Sequence, residues 1–231
     1  MKQTQAHIVL FMVSVALVFG AAVAGIHLLS KDTIARNDDI HFQRALVDVF
    51  RLATAASLET ISAAELAALV DARVNDDEMI EDPESGWRTP LFKAYADPQR
   101  RELSAYGFRF RGLGFWAPIE GILAVTPDLQ QSVGIVILAQ EETPGLGGRI
   151  EEAVFRDQFT AGVVIAPPPA GESFITISAS KPAGDSPGHR RHVDAITGAT
   201  QTSMAMGVML NDHLSRFQRA MAHRNAINGE G

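Results

Sequence analysis

The chain has 231 residues, 46% hydrophobic and 20% charged, a formal net charge of −7 and no cysteine. The acidic balance excludes a nucleic-acid partner, because phosphate binding needs clustered Lys and Arg and here only Arg100-Arg101 and Arg190-Arg191 adjoin. The missing thiols exclude cysteine-held iron–sulfur clusters, a Cys zinc site and disulfides within the chain, so redox chemistry would have to come from another cofactor.

The first element is apolar. Ile8 to Leu29 (IVLFMVSVALVFGAAVAGIHLL) is 22 residues without a formal charge, which as a helix reaches about 33 Å, enough to cross a bilayer. The competing reading is a cleaved signal peptide, with Ala22-Val23-Ala24 as a small-x-small site. Apolar residues continue past that site through Ile26, Leu28 and Leu29, beyond a signal core of about 7–15 residues, and favour the anchor. Orientation is nearly a tie, with Lys2 on one side and Lys31 and Arg36 on the other.

Asp39 to Arg73 is rich in Ala and Leu, with Phe42, Leu46, Val49, Phe50 and Ala53 at helical spacing, and predicts an amphipathic helix. Ser62-Ala-Ala-Glu65 has the capping-box pattern and marks a second helix start. Asn75 to Gly86 (NDDEMIEDPESG) is acidic, ends in turn formers and reads as a solvated linker. Beyond it, Tyr106–Arg111, Gly121–Thr126, Val133–Ala139, Gly162–Ala166 and Phe174–Ser178 are short, β-branched or aromatic, and separated by Gly, Pro and Asp, which predicts an antiparallel sheet. Met204 to Phe217 returns to helical spacing and would pack across that sheet. The fold class is therefore α+β: an N-terminal transmembrane helix, a helical annex, then an antiparallel-sheet domain with a C-terminal helix.

The segment with the most chemistry is Asp194-Ala-Ile-Thr197-Gly198-Ala199-Thr200-Gln-Thr202-Ser203. Gly198 and Ala199 leave the backbone open to close approach, the hydroxyls supply donors, acceptors and an attachment oxygen, and the free amides of a helix start favour a phosphate. Local physics alone gives an anion site at a helix start, or an ordinary N-cap made by Thr200 or Thr202. Glu142-Thr143-Pro144-Gly145-Leu146-Gly147 follows a strand. Pro144 fixes one φ and the glycines permit unusual dihedrals, so this loop can lie along a planar ligand. Gly112-Leu-Gly114-Phe115-Trp116 precedes it, and its aromatics are as compatible with a core as with a site.

These segments resemble the family of FMN-binding subunits found in the sodium-translocating NADH:quinone reductase and in the Rnf electron-transport complex. That family's flavinylation pattern, Asp-x-x-Ser/Thr-Gly-Ala-Thr, is matched at each specified position from Asp194 to Thr200, and residues 142–147 resemble its ETPGLG segment. The resemblance implies FMN esterified to Thr200 through its phosphate by a separate flavin transferase. It also implies a site that draws on Asp194, Thr197, Gly198, Ala199, Thr143, Gly145, Leu146 and Gly147, with no catalytic acid or base and no metal. Asp194 would serve the modifying enzyme or orient the turn. The run His189, Arg190, Arg191, His192 and, separately, Arg149 would pair with the phosphate or stay solvated.

On this reading residues 1–30 are the anchor, 31–86 a helical segment and acidic linker, and 87–231 the FMN-binding domain. The implied role is an electron-transfer subunit of an ion-translocating NADH:quinone or ferredoxin:NAD oxidoreductase, embedded in the inner membrane with other membrane subunits and with its flavin on the periplasmic or outer side. A membrane-anchored redox sensor or stand-alone extracytoplasmic flavoprotein is the alternative.

Overall fold

The structure, a computed structural model, describes residues 2–184 and 186–229. The chain divides into two units, Met1–His41 and Phe42–Gly231. Helix α1 (Lys2–Val49) starts in the first and ends in the second. It is longer than the apolar span alone, because Ser30 to Val49 contains helix formers such as Ala35, Arg36 and Leu46 and no Pro or Gly to stop it. Within the first unit the apolar side chains are exposed, Phe11 at 70% and Leu29 at 85%. By length and composition this helix can cross a membrane.

In the second unit the expected amphipathic helix is broken in two places. Arg51 adopts a positive φ of 53° just after α1, and α2 (Ala55–Thr60) and α3 (Ala63–Arg73) follow. Ser62 caps α3 through the full capping box with Glu65, as its spacing predicts.

The acidic stretch is not a linker. Val74–Glu81 forms β1, which pairs antiparallel with β2 (Arg88–Tyr95). Its acids hide the strand signal: Val74 and Ile80 are buried while Asp76, Asp77 and Glu81 face out, and such charges suit an edge strand that must not pair further. β3 (Leu103–Leu113), β4 (Pro118–Val125) and β5 (Ser132–Ala139) complete a five-stranded antiparallel meander in the order β1-β2-β3-β4-β5. β2 also escapes sequence reading, since Pro90 sits inside it, an allowed position beside an edge partner but a poor strand signal.

Two further expectations are corrected. Gly162–Ala166 makes only an isolated bridge, Val164 to Gln131, and three prolines after it stop any ladder. Phe174–Ser178 contributes the short β6 (Thr176–Ser178), which pairs in parallel with β7 (His192–Asp194) in a separate two-stranded sheet.

Both faces of the meander are covered. On one lie α4 (Ala153–Thr160) and α5 (Thr200–Asn228), with Phe108, Phe110, Leu123, Phe155, Phe159, Met206, Leu210 and Phe217 in one apolar cluster. The Phe108 and Phe217 rings stack with centroids 4.2 Å apart, and burying a side chain of this size stabilises by roughly 1.5–3 kcal/mol. The other face holds the end of α1, through Ala45, Leu46 and Val49, together with Phe50 against Phe92, Ile122 and Val136. β4 alternates between the two clusters, which is why it reads as a continuous apolar run.

Candidate functional site: a cleft at the start of α5

β7 ends at Asp194, and five residues later α5 begins. Gly198 takes φ +81° to turn the chain, a conformation costly for any residue with a Cβ. The Ala199 amide donates to the Ile196 carbonyl at 3.0 Å, and the Ile196 amide donates to Ser203 Oγ at 3.1 Å, which closes the turn onto the helix. Ala199 is the N-cap and makes no side-chain capping bond. The ordinary Thr cap is therefore absent, and the amides of Thr200, Gln201 and Thr202 form the positive end of the helix dipole without a side-chain partner from a cap. Thr200 is exposed as the first helical residue.

Two other segments reach this end of α5. The β3–β4 turn carries Phe115 and Trp116, 52% and 67% exposed, with their rings in edge contact at 4.9 Å; they are surface residues, not core. The loop after β5 carries Thr143 to Leu146, with Gly145 at φ +75° and the Leu146 and Gly148 amides both donating to the Thr143 carbonyl at 3.1 Å.

Glu142 binds the three segments together. It is buried at 4% exposure. Its Oε1 accepts from the Phe115 amide at 2.8 Å and the Trp116 amide at 3.0 Å, and Oε2 accepts from Thr202 Oγ1 at 2.6 Å. Two glycines make room for this carboxylate. A Cβ at Gly114 would stand 2.5 Å from Oε1, and one at Gly147 would stand 2.7 Å from Oε2 and 2.5 Å from Thr202 Oγ1.

The three segments enclose a cleft of about 340 Å³ lined by Phe115, Trp116, Glu142, Thr143, Leu146, Gly147, Gly198, Ala199, Thr200, Gln201 and Thr202, within the size range of small-ligand sites. Six of the residues singled out in the sequence thus meet: Thr143, Leu146, Gly147, Gly198, Ala199 and Thr200. Gly145 shapes the loop without lining the cleft. Asp194 and Thr197 line an adjacent hollow with Arg149 and Gln158.

Asp194 does not cap the turn. Its Oδ1 meets His192 Nε2 at 3.0 Å and its amide donates to Gln158 Oε1 at 2.6 Å. Nor does the basic run line the cleft: Arg191 donates to the Ala166 carbonyl at 2.7 Å and His192 is buried. Arg149 pairs with Glu152 at 3.0 Å. Sequence reasoning missed Glu142 and Thr202 as site residues, since nothing local separates Glu142 from its exposed neighbour Glu141.

The cleft fits FMN in its donor set. Phe115, Trp116 and Leu146 offer apolar surface for a planar ring, while the uncapped helix start and the Thr200 hydroxyl suit a phosphoester. Residues 114–215, which include all three segments, match the family of the FMN-binding domain. The NqrC protein of the Na(+)-translocating NADH-quinone reductase of Chlamydia muridarum is 29% identical over 131 residues, 52% of this chain and 41% of that protein. Its counterpart in Neisseria meningitidis serogroup A is 34% identical over 92 residues, 40% of this chain and 33% of that protein. The chain thus spans about a third to two fifths of the length of these relatives. Among solved structures, the NqrC protein from Parabacteroides distasonis has the same fold with a TM-score of 0.62 at 22% identity, covering 81% of this chain and 95% of that one. Shewanella oneidensis NqrC follows with a TM-score of 0.55 at 20% identity, covering 81% and 91%. The chain carries an FMN-binding domain homologous to that of the NqrC proteins of the quinone reductase, on the same fold.

Proposed function

We propose that this protein is a membrane-anchored electron carrier with FMN esterified through its phosphate to Thr200, working as the NqrC-type component of an ion-translocating quinone reductase. The observation that carries the reading is the position of Thr200: first residue of an uncapped helix, in a cleft walled by Phe115, Trp116 and Leu146. The resemblance of Asp194 to Thr200 to the flavinylation pattern supports the covalent link. The names of the relatives in Chlamydia and Neisseria favour a quinone reductase over an Rnf-type complex.

When bound, the flavin supplies one-electron redox chemistry. The chain supplies the rest. Thr200 Oγ1 is the attachment atom, joined to the phosphate with loss of one water. The amides at the start of α5 stabilise phosphate charge by hydrogen bonding and by the helix dipole. Phe115, Trp116 and Leu146 exclude water from the ring's faces. Asp194, outside the cleft but exposed beside Thr197, is placed for recognition by the flavin transferase that makes the bond. The covalent link prevents loss of the carrier on the periplasmic or outer side, where the domain would face its partner subunits.

The test is intact and peptide mass on the full chain co-expressed with a flavin transferase, beside Thr200→Val. The wild type should gain the mass of one FMN less one water on the peptide containing Thr200, and the variant should gain none. Thr200 is exposed, so the variant's stability should stay within about 0.5 kcal/mol of wild type. An unmodified, colourless wild type would overturn the electron-carrier reading.

A further inference from the structure

We propose that the buried Glu142 carboxylate holds the reduction potential of the bound flavin low, by placing a fixed negative charge in the wall of its cleft; the proposal rests on the FMN reading above. Among the described residues that line the cleft, Glu142 alone has an ionisable side chain. All three of its partners donate to it: two backbone amides to Oε1 and the Thr202 hydroxyl to Oε2. A side chain that only accepts is acting as a carboxylate, since the protonated acid would need an acceptor for its own proton. The backbones at Gly114 and Gly147 close over both oxygens, so the charge cannot swing out to water.

An electron that enters a group bound in this cleft adds negative charge to it, and the Glu142 charge opposes that addition. The opposition is strong because water, which would screen it, is largely excluded at 4% exposure. The three donors offset part of the charge without cancelling it. No bond to the chain forms or breaks, and Glu142 keeps its ionisation throughout; the electron comes from an external reductant, which is oxidised by one electron for each one delivered.

Two substitutions separate charge from packing because they predict opposite signs. Glu142→Gln keeps the shape and an oxygen for the two amides while removing the charge. It should raise the flavin's midpoint potential, by roughly a tenfold shift in the one-electron equilibrium, or ~59 mV. Thr202→Val keeps the volume and removes the hydroxyl that partly offsets the carboxylate, so it should lower the potential. The experiment is potentiometric titration of the full chain, flavin loaded by co-expressed transferase and solubilised in detergent, with dithionite and one-electron mediators. Intact mass is recorded on each sample.

A higher midpoint in Glu142→Gln and a lower one in Thr202→Val supports the proposal. Loaded protein in which Glu142→Gln matches or falls below wild type overturns it and leaves the FMN reading standing, whereas wild type without flavin mass overturns that reading itself. If Glu142→Gln does not fold, Thr202→Val decides alone: a lowered midpoint supports the charge effect, and an unchanged or raised one sinks it.

Discussion

The two ends of α5 are built on opposite terms. At the C-terminal end the helix is pinned. Arg219 grips Asp82 with Nε to Oδ1 at 2.9 Å and Nη2 to Oδ2 at 2.6 Å, Arg224 pairs with Glu78 on β1, and Gly229 closes the helix in the left-handed conformation at φ +72°. At the N-terminal end there is no side-chain cap, and small residues and hydroxyls face a cleft. A helix start left this open forgoes about 0.5–2 kcal/mol of capping. The anchored far end, together with Phe217 and Leu214 in the core, provides the stability that lets the near end stay available to a ligand.

The largest test breaks the anchored end. Asp82 has no solvent exposure, and the Arg219 guanidinium beside it holds its carboxyl well below the usual carboxylate range. Arg219→Ala leaves that carboxylate without its cation. Removing one partner of a fully buried pair costs ~3–5 kcal/mol; because the Arg219 side chain is 33% exposed, the expected loss here is about 2–3 kcal/mol, read from urea midpoints at pH 7. The pH dependence has a definite sign. A carboxyl whose folded pKa is depressed contributes stability above its unfolded value of about 3.9, and that contribution is lost as pH falls below it. Wild type should therefore lose stability steeply below about pH 4, and Arg219→Ala should lose less of it there. The folded fraction of the variant should still take up flavin, since the cleft is built at the other end. A parallel loss of loading would show that the two ends are not separable.

The second test acts on the open end. Gly147→Ala would put a Cβ 2.5 Å from Thr202 Oγ1 and 2.7 Å from Glu142 Oε2, and neither buried group has room to retreat. Overpacking of this kind costs ~1–3 kcal/mol, comparable to or below the Arg219 effect, yet flavin per chain by absorbance should fall much further than it does in Arg219→Ala. Wild-type loading in Gly147→Ala would mean that the Glu142 wall is soft and that the contrast between the ends is weaker than drawn.

The contrast also explains what could be read from the sequence. The cleft's chemistry sits in contiguous, small-residue segments, so residues 142–147 and 194–200 stand out, and the structure brings them together. The anchoring end is made of long-range pairs: Asp82 and Arg219 are 137 positions apart, and no local pattern links them. The same holds for β1, whose acids read as a linker because the partners that organise them, Lys93 and Arg224, lie on other elements. Glu142 belongs to the recognised loop, but its bonds to Phe115, Trp116 and Thr202 exist only in the fold.

The smallest test falls between the two ends, at His213. This residue is buried, with its ring edge-on to Trp87 at 5.6 Å. Its Nε2 accepts from the Arg111 amide on β3 at 3.3 Å, so Nδ1 carries the proton and donates to the Met209 carbonyl at 3.0 Å. Burial holds its pKa below the ordinary histidine value, only partly opposed by the Met209 carbonyl and Asp212. Protonation would set a second N–H against the Arg111 amide. As pH falls through about 6.5 the unfolded chain takes up this proton before the folded chain does, so stability should decline gently between about pH 7.5 and 5.5, well above the window set by Asp82. Urea midpoints at those two pH values check the sign. His213→Gln, which keeps an acceptor for Arg111 without a titrating group, should flatten the decline while leaving the steep loss at acid pH intact. If the decline persists in that variant, the proton is going elsewhere and the middle of α5 is not pH-sensitive.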